Sequence, residues 1–572
     1  MWGWGGGGKG CARFRRRRSF LRFFPLPSPG STTLTSEEAG SRPLPFGLTP
    51  LQASVALATL LGLAVRLWAA GRAEVWIDEA YSALLAVSGF GELLDQLRLD
   101  NHPPLYYLAL KGWADLTSLH PLVLRLPSVL LGAATVPAVW LVGSRMDRPR
   151  AGVAAAWLLA LHPLHVFYSQ EIRSYALLML LALGLYYALF HVLARGGRLL
   201  PALLLAVALA YSHYYGLVFV ATALLVALVV LPARRGRIVL CGVVVALAYL
   251  PWLPVFLAQL RNPGMLAWMA PFWERYPGGF ALLRSAQAFL PGGQKYPFVP
   301  LEGLPLQLLI VAFGLVPFLW VGVRAFRGRH GERPPEGPTP GASGGRDAWE
   351  REGLPTPGFR PLLLPLVVAA LPLFVLVVRS YLREPVYLVG RSDVIVLPLV
   401  LLALAWALAR MPGWGRLVFL GLWAALCVAE IAVSAPRLQK PGNARLAAAL
   451  DAFECATVVA EGYAYAPMAY YERIEPSHRR ARVVAYPLEL ASHPGHYDPS
   501  RHPPEEREAD AGLLIREHPP ERGLCVIAAG TTFSGPLARA YLSRSVRAVQ
   551  RGVFTTSLLE GVPFVFVTFG GD

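Results

Sequence analysis

The sequence is dominated by apolar stretches of the length that crosses a membrane, for which about 20 residues cover roughly 30 Å of hydrocarbon. Only 16% of its 572 residues are charged, and 55% are hydrophobic, whereas a soluble protein is usually about a quarter charged. These numbers predict a polytopic α-helical membrane protein. We place eleven spans, near residues 51–70, 123–144, 151–168, 174–194, 199–214, 216–232, 237–258, 304–324, 361–379, 394–409 and 415–434.

The positions of the arginines predict the orientation of these spans. Membrane proteins concentrate Lys and Arg in their cytoplasmic loops, so the net charge of +17 gives no reason to expect nucleic acid as a partner. With a cytoplasmic N-terminus, the basic short loops all fall on the inside, and the C-terminus lies outside a plasma (inner) membrane. These loops carry Arg145, Arg148 and Arg150; Arg195 and Arg198; Arg234, Arg235 and Arg237; and Arg410 and Arg416.

Composition divides the chain into three predicted regions. Residues 1–50 are basic and we expect a disordered cytoplasmic leader or a mis-assigned start, because no apolar core of signal-peptide length follows the arginines. Residues 51–434 form the predicted membrane domain, in which 103–119 is expected to lie as a helix in the outer interface and 325–360, rich in Pro and Gly, as a flexible cytoplasmic linker. Residues 435–572 are no longer membrane-like, and we expect a small extracytoplasmic α/β domain.

Short β-like runs support the α/β prediction for the C-terminal region. They are Thr457–Ala460, Arg482–Tyr486, Cys525–Ala528 and Phe564–Phe569, and they alternate with helix-like stretches. Cys455 and Cys525 each begin one of these runs on the oxidising side of the membrane. A disulfide between them and two free buried thiols both fit the sequence.

The polar residues gather at the predicted outer ends of the spans, where ionisable groups are functional candidates. One carboxylate there can take a proton from an attacking hydroxyl, and nearby cations can hold a phosphate leaving group. Taken singly, each cluster also fits interfacial solvation, helix capping or aromatic anchoring. The clusters are Trp76–Ser82, Asp100–Tyr107, Tyr168–Tyr175, Tyr211–Tyr215 and Tyr387–Asp393.

Five motifs in a fixed order resemble a known family. They are WIDEAYS, NHPPLYYLALKGW, LRLPSVLLGAATVPAVWLVG, HPLHVFYSQEIRSYALLML and YSHYYGLVFVATALL. Together they resemble the bacterial membrane glycosyltransferases of family 39, relatives of protein O-mannosyltransferases and of the lipid A aminoarabinose transferase in the GT-C superfamily. The resemblance is dense over residues 50–260 and weaker over 260–434. It implies a GT-C fold and extracytoplasmic transfer of a sugar from a polyprenyl-phosphate donor to a lipid, glycan or protein acceptor, usually with inversion.

The resemblance also implies roles for individual residues. Asp78 matches the proposed general base, Glu79 the partner that orients the site, and Glu171 the second acidic position near the donor sugar. His102 and Arg391 match positions close to the donor phosphate, although relatives follow the late arginine with Tyr and a Leu-Pro run. Further candidates for donor binding are Gln170, Arg173, Tyr175 and His213. A divalent metal, Mg or Mn, is left open, with Asp78, Glu171 and His102 as its candidate ligands.

A transporter or flippase of lipid-linked sugars is the alternative from another functional class. Transporters usually bind near the membrane midplane between repeated halves, whereas this sequence shows no internal repeat and has its acids at span ends. No glycine-rich nucleotide motif follows a strand, which fits a donor that is not a nucleotide sugar.

Overall fold

The computed structural model describes most of the chain beyond residue 47. The described residues are 48–146, 149–261, 269–270, 273, 280–293, 303–331, 360–438, 442–453, 455–474, 481–494, 503–520, 523–532, 534–543, 548–555 and 563–569. The predicted leader up to residue 47 and residues 332–359 of the predicted linker therefore lie outside the described residues, whereas 325–331, the predicted start of the linker, belong to the helix Leu304–Gly331. The chain divides into two compact units, 1–53 and 54–572, and the contacts reported below lie within the second.

The membrane part is helical. Its longer helices are Pro50–Ala70, Pro121–Met146, Pro149–Ala160, Tyr175–Tyr187, Leu200–Ser212, Tyr214–Val230, Arg235–Tyr249, Leu304–Gly331, Arg360–Leu382, Leu397–Leu408 and Gly413–Leu438. Shorter or amphipathic helices between them are Ile77–Val87, Phe90–Leu99, Leu105–Leu116, Pro163–Tyr168, Leu253–Leu260 and Ala281–Ala288. A π-helical stretch, Ala188–Leu193, continues the helix that begins at Tyr175.

Six helices in the described part of the chain are long and apolar enough to cross a membrane. They begin at Pro50, Pro121, Tyr175, Pro305, Pro361 and Gly413. The helix Tyr214–Val230 and the segment Pro232–Tyr249, which is a short 3-10 turn followed by the helix Arg235–Tyr249, meet at a bend of 115°. Taken as one broken span, the pair would count as a seventh. The predicted polytopic helical class is therefore confirmed, while the count of eleven spans stays a prediction.

The predicted span 151–168 is two helices, broken between Ala160 and Pro163. Proline has no backbone N–H, and its ring disfavours helical geometry in the residue before it. His162 accordingly has extended backbone angles, φ −60° and ψ 122°. The break separates the helix Pro149–Ala160 from the short helix that leads into the polar segment containing Glu171.

The C-terminal region forms a five-stranded mixed sheet of β1 Thr457–Glu461, β2 Arg482–Tyr486, β3 Leu524–Ala529, β4 Ala548–Thr555 and β5 Pro563–Phe569. Their order across the sheet is β2-β1-β3-β5-β4. Strand β1 pairs in parallel with β2 and β3, whereas β5 pairs antiparallel with β3 and β4. The accompanying helices are Asn443–Ala452, Tyr465–Ile474, Pro504–Glu517 and Pro536–Leu542. Four strands fit the predicted β runs, and β4 is an addition to them.

A disulfide joins two neighbouring strands of this sheet. Cys455, just before β1, bonds to Cys525 in β3, with their Cα atoms 5.7 Å apart. Of the two arrangements that the sequence left open, the structure has the bonded one. The bond closes a loop of 70 residues in sequence.

The sheet region packs directly on the polar end of the membrane helices. One buried hydrophobic cluster contains side chains from the helix Ile77–Val87, such as Ala80 and Leu84, and from the sheet region, such as Tyr470 and Phe566. This shared core fixes the sheet against the helix that carries Asp78, because burying apolar surface stabilises the contact roughly in proportion to its area.

Candidate active site

Asp78 lies in the first turn of the helix Ile77–Val87 and faces two arginines from distant parts of the chain. Its Oδ2 is 2.7 Å from Nη2 of Arg391 and 3.8 Å from Nη2 of Arg173. Burial by itself raises the pKa of the Asp78 carboxyl, but the charges of Arg173 and Arg391 outweigh burial and hold that pKa below its ordinary value. The carboxylate is therefore ionised at neutral pH, and its side chain keeps 19% exposure.

A tight turn aims Arg391 at this carboxylate. Gly390 has φ +80°, a left-handed conformation that glycine adopts without steric cost. Its N–H donates to Oδ1 of Asp393 at 2.9 Å, and its carbonyl accepts from the hydroxyl of Tyr168 at 2.7 Å. Nε of Arg391 then donates to the hydroxyl of Tyr175 at 2.7 Å. The Gly390-Arg391-Ser392-Asp393 sequence, which departs from the family pattern, thus forms a turn that holds the guanidinium in place.

Arg173 is held by a second chain of hydrogen bonds. Its Nη1 donates to the hydroxyl of Tyr107 at 3.1 Å, and its Nη2 lies 3.1 Å from Nε2 of His102. Nδ1 of His102 lies 2.9 Å from Oδ2 of Asp100. Because a guanidinium can only donate, Nε2 must accept and Nδ1 must carry the proton. This geometry assigns His102 as a neutral imidazole that links Asp100 to Arg173.

The ionisation of this pair agrees with the geometry. Burial is the largest influence on His102 and lowers the pKa of its imidazole, although Asp100 opposes it. The same pairing with His102 holds the pKa of the Asp100 carboxyl below its ordinary value, against the effect of burial. His102 therefore acts through its hydrogen bonds rather than as a cation.

Glu79, the neighbour of Asp78, points elsewhere and has a different environment. Its carboxylate is fully buried and receives two hydrogen bonds from Arg125, Nε to Oε1 at 2.8 Å and Nη2 to Oε2 at 2.7 Å. Oε1 also accepts from the backbone N–H of Ile172 at 3.2 Å. Arg125 in turn donates to the carbonyls of Ala70, Ala73 and Glu74. Glu79 is thus a buried link between the Asp78 helix and the segment that carries Glu171 and Arg173.

The other predicted residues lie around this core at different distances. Glu171 is fully buried and interacts electrostatically with Tyr175, the residue that receives a hydrogen bond from Arg391. The ring centroid of His213 lies 5.2 Å from that of His102 and 6.1 Å from that of Tyr175. Gln170 is buried and points toward the first membrane helix, with its Nε2 3.5 Å from the carbonyl oxygen of Val65.

The sheet region also contributes contacts to the chain just before Asp78. Nδ2 of Asn443 donates to the carbonyl of Val75 at 2.6 Å, and the N–H of Val75 donates to the hydroxyl of Tyr471 at 3.2 Å. The ring centroid of His493 lies 5.6 Å from that of Tyr81 in the Asp78 helix. The C-terminal region is therefore in contact with the site rather than remote from it.

Sequence reasoning did not assign roles to Asp100, Tyr107, Arg125 or His493. A signal for Arg125 was present, because an ionisable residue inside a predicted span needs a buried partner. The signal for Asp100 was its place two residues before His102. Nothing in the sequence connects His493 to this site, because that proximity depends on how the sheet packs.

The predicted metal ligands do not form a site that fits a divalent cation. Asp78 faces two guanidiniums, and the free lone pair of His102 is taken by Arg173. Among the residues that the structure describes, no group of three or more His, Cys, Asp or Glu side chains is arranged to hold a metal ion. The arrangement instead offers one ionised carboxylate beside two fixed cations, which suits an anionic ligand.

Comparison with known proteins gives two further findings. Residues 101–258 match the family model of dolichyl-phosphate-mannose-protein mannosyltransferases, whereas no curated protein sequence matches the chain. The fold is similar to ArnT from Cupriavidus metallidurans bound to undecaprenyl phosphate, with a TM-score of 0.52 and 14% identity over 90% of this chain and 97% of that one. The apo state of that protein gives a TM-score of 0.52 and 13% identity over 91% and 98%.

A third solved structure is less similar. The apo oligosaccharyltransferase of Archaeoglobus fulgidus gives a TM-score of 0.42 and 14% identity, over 84% of this chain and 69% of that one. The family match lies inside the 50–260 region where the motifs are dense, and the fold similarity to ArnT covers nearly the whole chain. The predicted resemblance to protein mannosyltransferases and related membrane glycosyltransferases is therefore confirmed by the family match over residues 101–258.

Proposed function

We propose that this protein transfers a sugar from a polyprenyl-phosphate donor to an acceptor hydroxyl on the extracytoplasmic face of the plasma membrane. The observation that carries the proposal is the placement of one ionised carboxylate, Asp78, between two fixed guanidiniums, Arg173 and Arg391. Support comes from the mannosyltransferase family match and from ArnT, which has the same fold and was solved with undecaprenyl phosphate. The donor lipid would lie between membrane helices, with its phosphate at this cluster.

Asp78 occupies the place that an anionic phosphate would take between the two arginines. Guanidiniums bind phosphate by charge-assisted, often bidentate hydrogen bonds. A donor phosphate that binds Arg173 and Arg391 would therefore compete with Asp78 for them and release its carboxylate. Binding of the donor would thus raise the basicity of Asp78 at the moment when a base is needed.

The reaction then needs one proton transfer and one displacement. The released Asp78 carboxylate takes the proton of the acceptor hydroxyl, and the acceptor oxygen bonds to the anomeric carbon of the sugar. The bond between that carbon and the phosphate oxygen breaks, and its electron pair stays on the polyprenyl phosphate, which Arg173 and Arg391 stabilise. Attack from the face opposite the leaving group inverts the anomeric centre. No acid is required, because a phosphate leaves without protonation.

His102 and Glu79 support these groups without taking part in the displacement. His102 fixes Arg173 through its neutral Nε2, and Glu79 fixes the backbone near Arg173 through Ile172. We assign Glu171 to the donor-sugar side, where its carboxylate lies near Tyr175. A metal takes no step in this scheme.

The test is the substitution Asp78→Asn, with Asp95→Asn as matched control. Asp95 is an exposed aspartate that forms a surface ion pair with Arg98. The control therefore makes the same chemical change away from the site. Purified protein in detergent would be given a polyprenyl-phosphate sugar fraction and acceptor from cell envelopes, and the free polyprenyl phosphate released would be measured by mass spectrometry. We expect release from wild type and Asp95→Asn, and loss of at least about 100-fold in Asp78→Asn.

Two outcomes would contradict this function. Turnover of Asp78→Asn close to that of wild type would remove Asp78 from the role of base. Activity that requires sealed vesicles, with no release of polyprenyl phosphate in detergent, would favour the transporter alternative.

A further inference from the structure

A second basic cluster lines a cavity that the proposed transfer reaction does not use. The cavity has a volume of about 640 Å³, and four arginines line it: Arg150, Arg324, Arg410 and Arg416. These arginines come from four separate segments of the chain, and Trp406 and Val321 are among the apolar residues between them. Of the described residues that line the cavity, none is acidic.

This cavity lies at the opposite helix ends from Asp78. The helix Leu397–Leu408 begins six residues after Arg391, and Arg410 lies two residues beyond its other end. At 1.5 Å per residue, its twelve residues separate the two ends by about 18 Å. Arg150 likewise lies at the start of the helix Pro149–Ala160, whose other end leads toward Glu171. The arginine pattern predicts that these ends face the cytoplasm.

Tryptophans hold two of the guanidiniums in place. The guanidinium of Arg410 lies 3.4 Å from the ring centroid of Trp406 and donates to the Trp406 carbonyl at 3.0 Å. The guanidinium of Arg324 lies 5.4 Å from the ring centroid of Trp320, whose Nε1 donates to the carbonyl of Arg410 at 3.2 Å. Cation–π contacts of this kind keep the charge of an arginine while they restrict its position.

A general preference for cytoplasmic arginines does not account for this convergence. That preference is met equally by arginines scattered over exposed loop ends, as Arg195 and Arg235 are. Here four guanidiniums meet around one cavity, and an anion inside it would meet donors from several sides. Arg150 and Arg416 are close enough to repel each other electrostatically, a repulsion that a bound anion would offset.

Exposed apolar side chains that lie near the lining arginines in sequence indicate a lipid as the source of the anion. Trp414 and Leu417, on the same helix as Arg416, are 73% and 69% exposed, and Phe326, two residues after Arg324, is 65% exposed. Apolar side chains next to cations at a helix end suit a lipid whose headgroup enters the cavity and whose chains lie along the helices. A free phosphate ion would make no use of these apolar side chains.

We propose that this cavity binds the phosphate group of an anionic membrane phospholipid on the face opposite the transfer site. The lipid would bridge the ends of the helices Leu304–Gly331, Leu397–Leu408 and Gly413–Leu438 and the start of Pro149–Ala160. The proposal does not depend on the transferase function, because the two sites share no residue.

The test compares lipid retention between charge-matched variants of the full chain. Wild type, Arg324→Gln/Arg416→Gln and the control Arg195→Gln/Arg235→Gln would be reconstituted in nanodiscs of equal parts phosphatidylcholine and phosphatidylglycerol. After extraction into detergent, native mass spectrometry would count the phosphatidylglycerol that stays bound. We expect retention by wild type and control, and at least about tenfold less in Arg324→Gln/Arg416→Gln, because the loss of even one charged hydrogen bond costs about that factor. Asp78→Asn should retain the lipid like wild type.

Further arms separate the source of the phosphate and guard against misfolding. Inorganic phosphate that stabilises wild type against heat, but not Arg324→Gln/Arg416→Gln, with no phosphatidylglycerol retained, would make a free phosphate the ligand and overturn the lipid assignment. If the glutamine variant does not fold, Arg324→Lys/Arg416→Lys keeps the charge but loses the planar fork, and we expect reduced retention. Equal retention in wild type, the site variants and the control would overturn the proposal.

Discussion

The adjacent carboxylates Asp78 and Glu79 should respond in opposite ways to the same isosteric change. Asp78→Asn should leave folding intact and remove transfer, whereas Glu79→Gln should first destabilise the protein. The reason is the difference in environment: Asp78 keeps 19% exposure and faces two arginines that have other hydrogen-bond partners, while Glu79 is fully buried and forms a bidentate pair with Arg125.

The size of the Glu79 effect follows from its contacts. Removing one partner of a buried ion pair leaves the other charge buried and typically costs about 3–5 kcal/mol. Glu79→Gln keeps an amide oxygen that can still accept from Ile172, but the two charged hydrogen bonds from Arg125 lose their counter-charge. Arg125 keeps its three backbone carbonyl acceptors, which places the expected loss toward the lower end, about 3 kcal/mol.

The assay is heat challenge in detergent followed by size-exclusion chromatography of the monodisperse fraction, with Glu92→Gln as control. Glu92 lies in the helix Phe90–Leu99 at an exposed position. We expect Glu79→Gln to lose its folded fraction at clearly lower temperature, and Glu79→Gln/Arg125→Met to recover part of the loss because no lone charge then stays buried. Wild-type stability in Glu79→Gln, or a large loss in Asp78→Asn, would refute the division of roles drawn here.

The remaining predictions concern the neighbours of this pair. Arg391→Gln should raise the KM for donor and lower kcat in steady-state kinetics. Arg391→Lys should recover only part of the loss, because a single Nζ cannot occupy the positions of both Nε, which donates to Tyr175, and Nη2, which donates to Asp78. Tyr471→Phe removes the hydroxyl that accepts from the N–H of Val75, just before Asp78, and should cost about 1 kcal/mol of stability. The rate of sugar transfer should fall by a larger factor than this loss of stability explains, and Tyr465→Phe is the control. Because the pKa of His102 is lower in the folded protein than in the unfolded chain, the unfolded chain takes up a proton first as the pH drops below about 6.5, and stability should fall there. His102→Asn should flatten that dependence in melting curves recorded at several pH values. Breaking Cys455–Cys525 by Cys455→Ser/Cys525→Ser should cost about 4 kcal/mol for a loop of 70 residues and loosen the sheet to proteolysis, while residues 50–434 stay protected.

Much of this architecture could be predicted from patterns along the chain. Apolar length predicts the membrane helices, alternating β runs predict four of the five strands, and the motifs locate the residues from Asp78 to His213 that meet in the cluster. Helix breaks were harder to predict, because a proline such as Pro163 does not always end a helix: Pro127 and Pro137 both lie inside the helix Pro121–Met146. β4 was missed for a similar reason, because its sequence, AVQRGVFT, carries Arg and Gly within the strand.

The sequence by itself determined the class of the protein and the residue types at its polar end, because both depend on composition and order within short windows. Only the tertiary structure decided which arginines each of the two adjacent carboxylates faces. Consecutive residues on an α-helix point about 100° apart, so Asp78 is directed at Arg391 and Glu79 at Arg125. Those arginines lie 313 and 46 residues away in sequence, and long-range packing of this kind leaves no trace in local spacing.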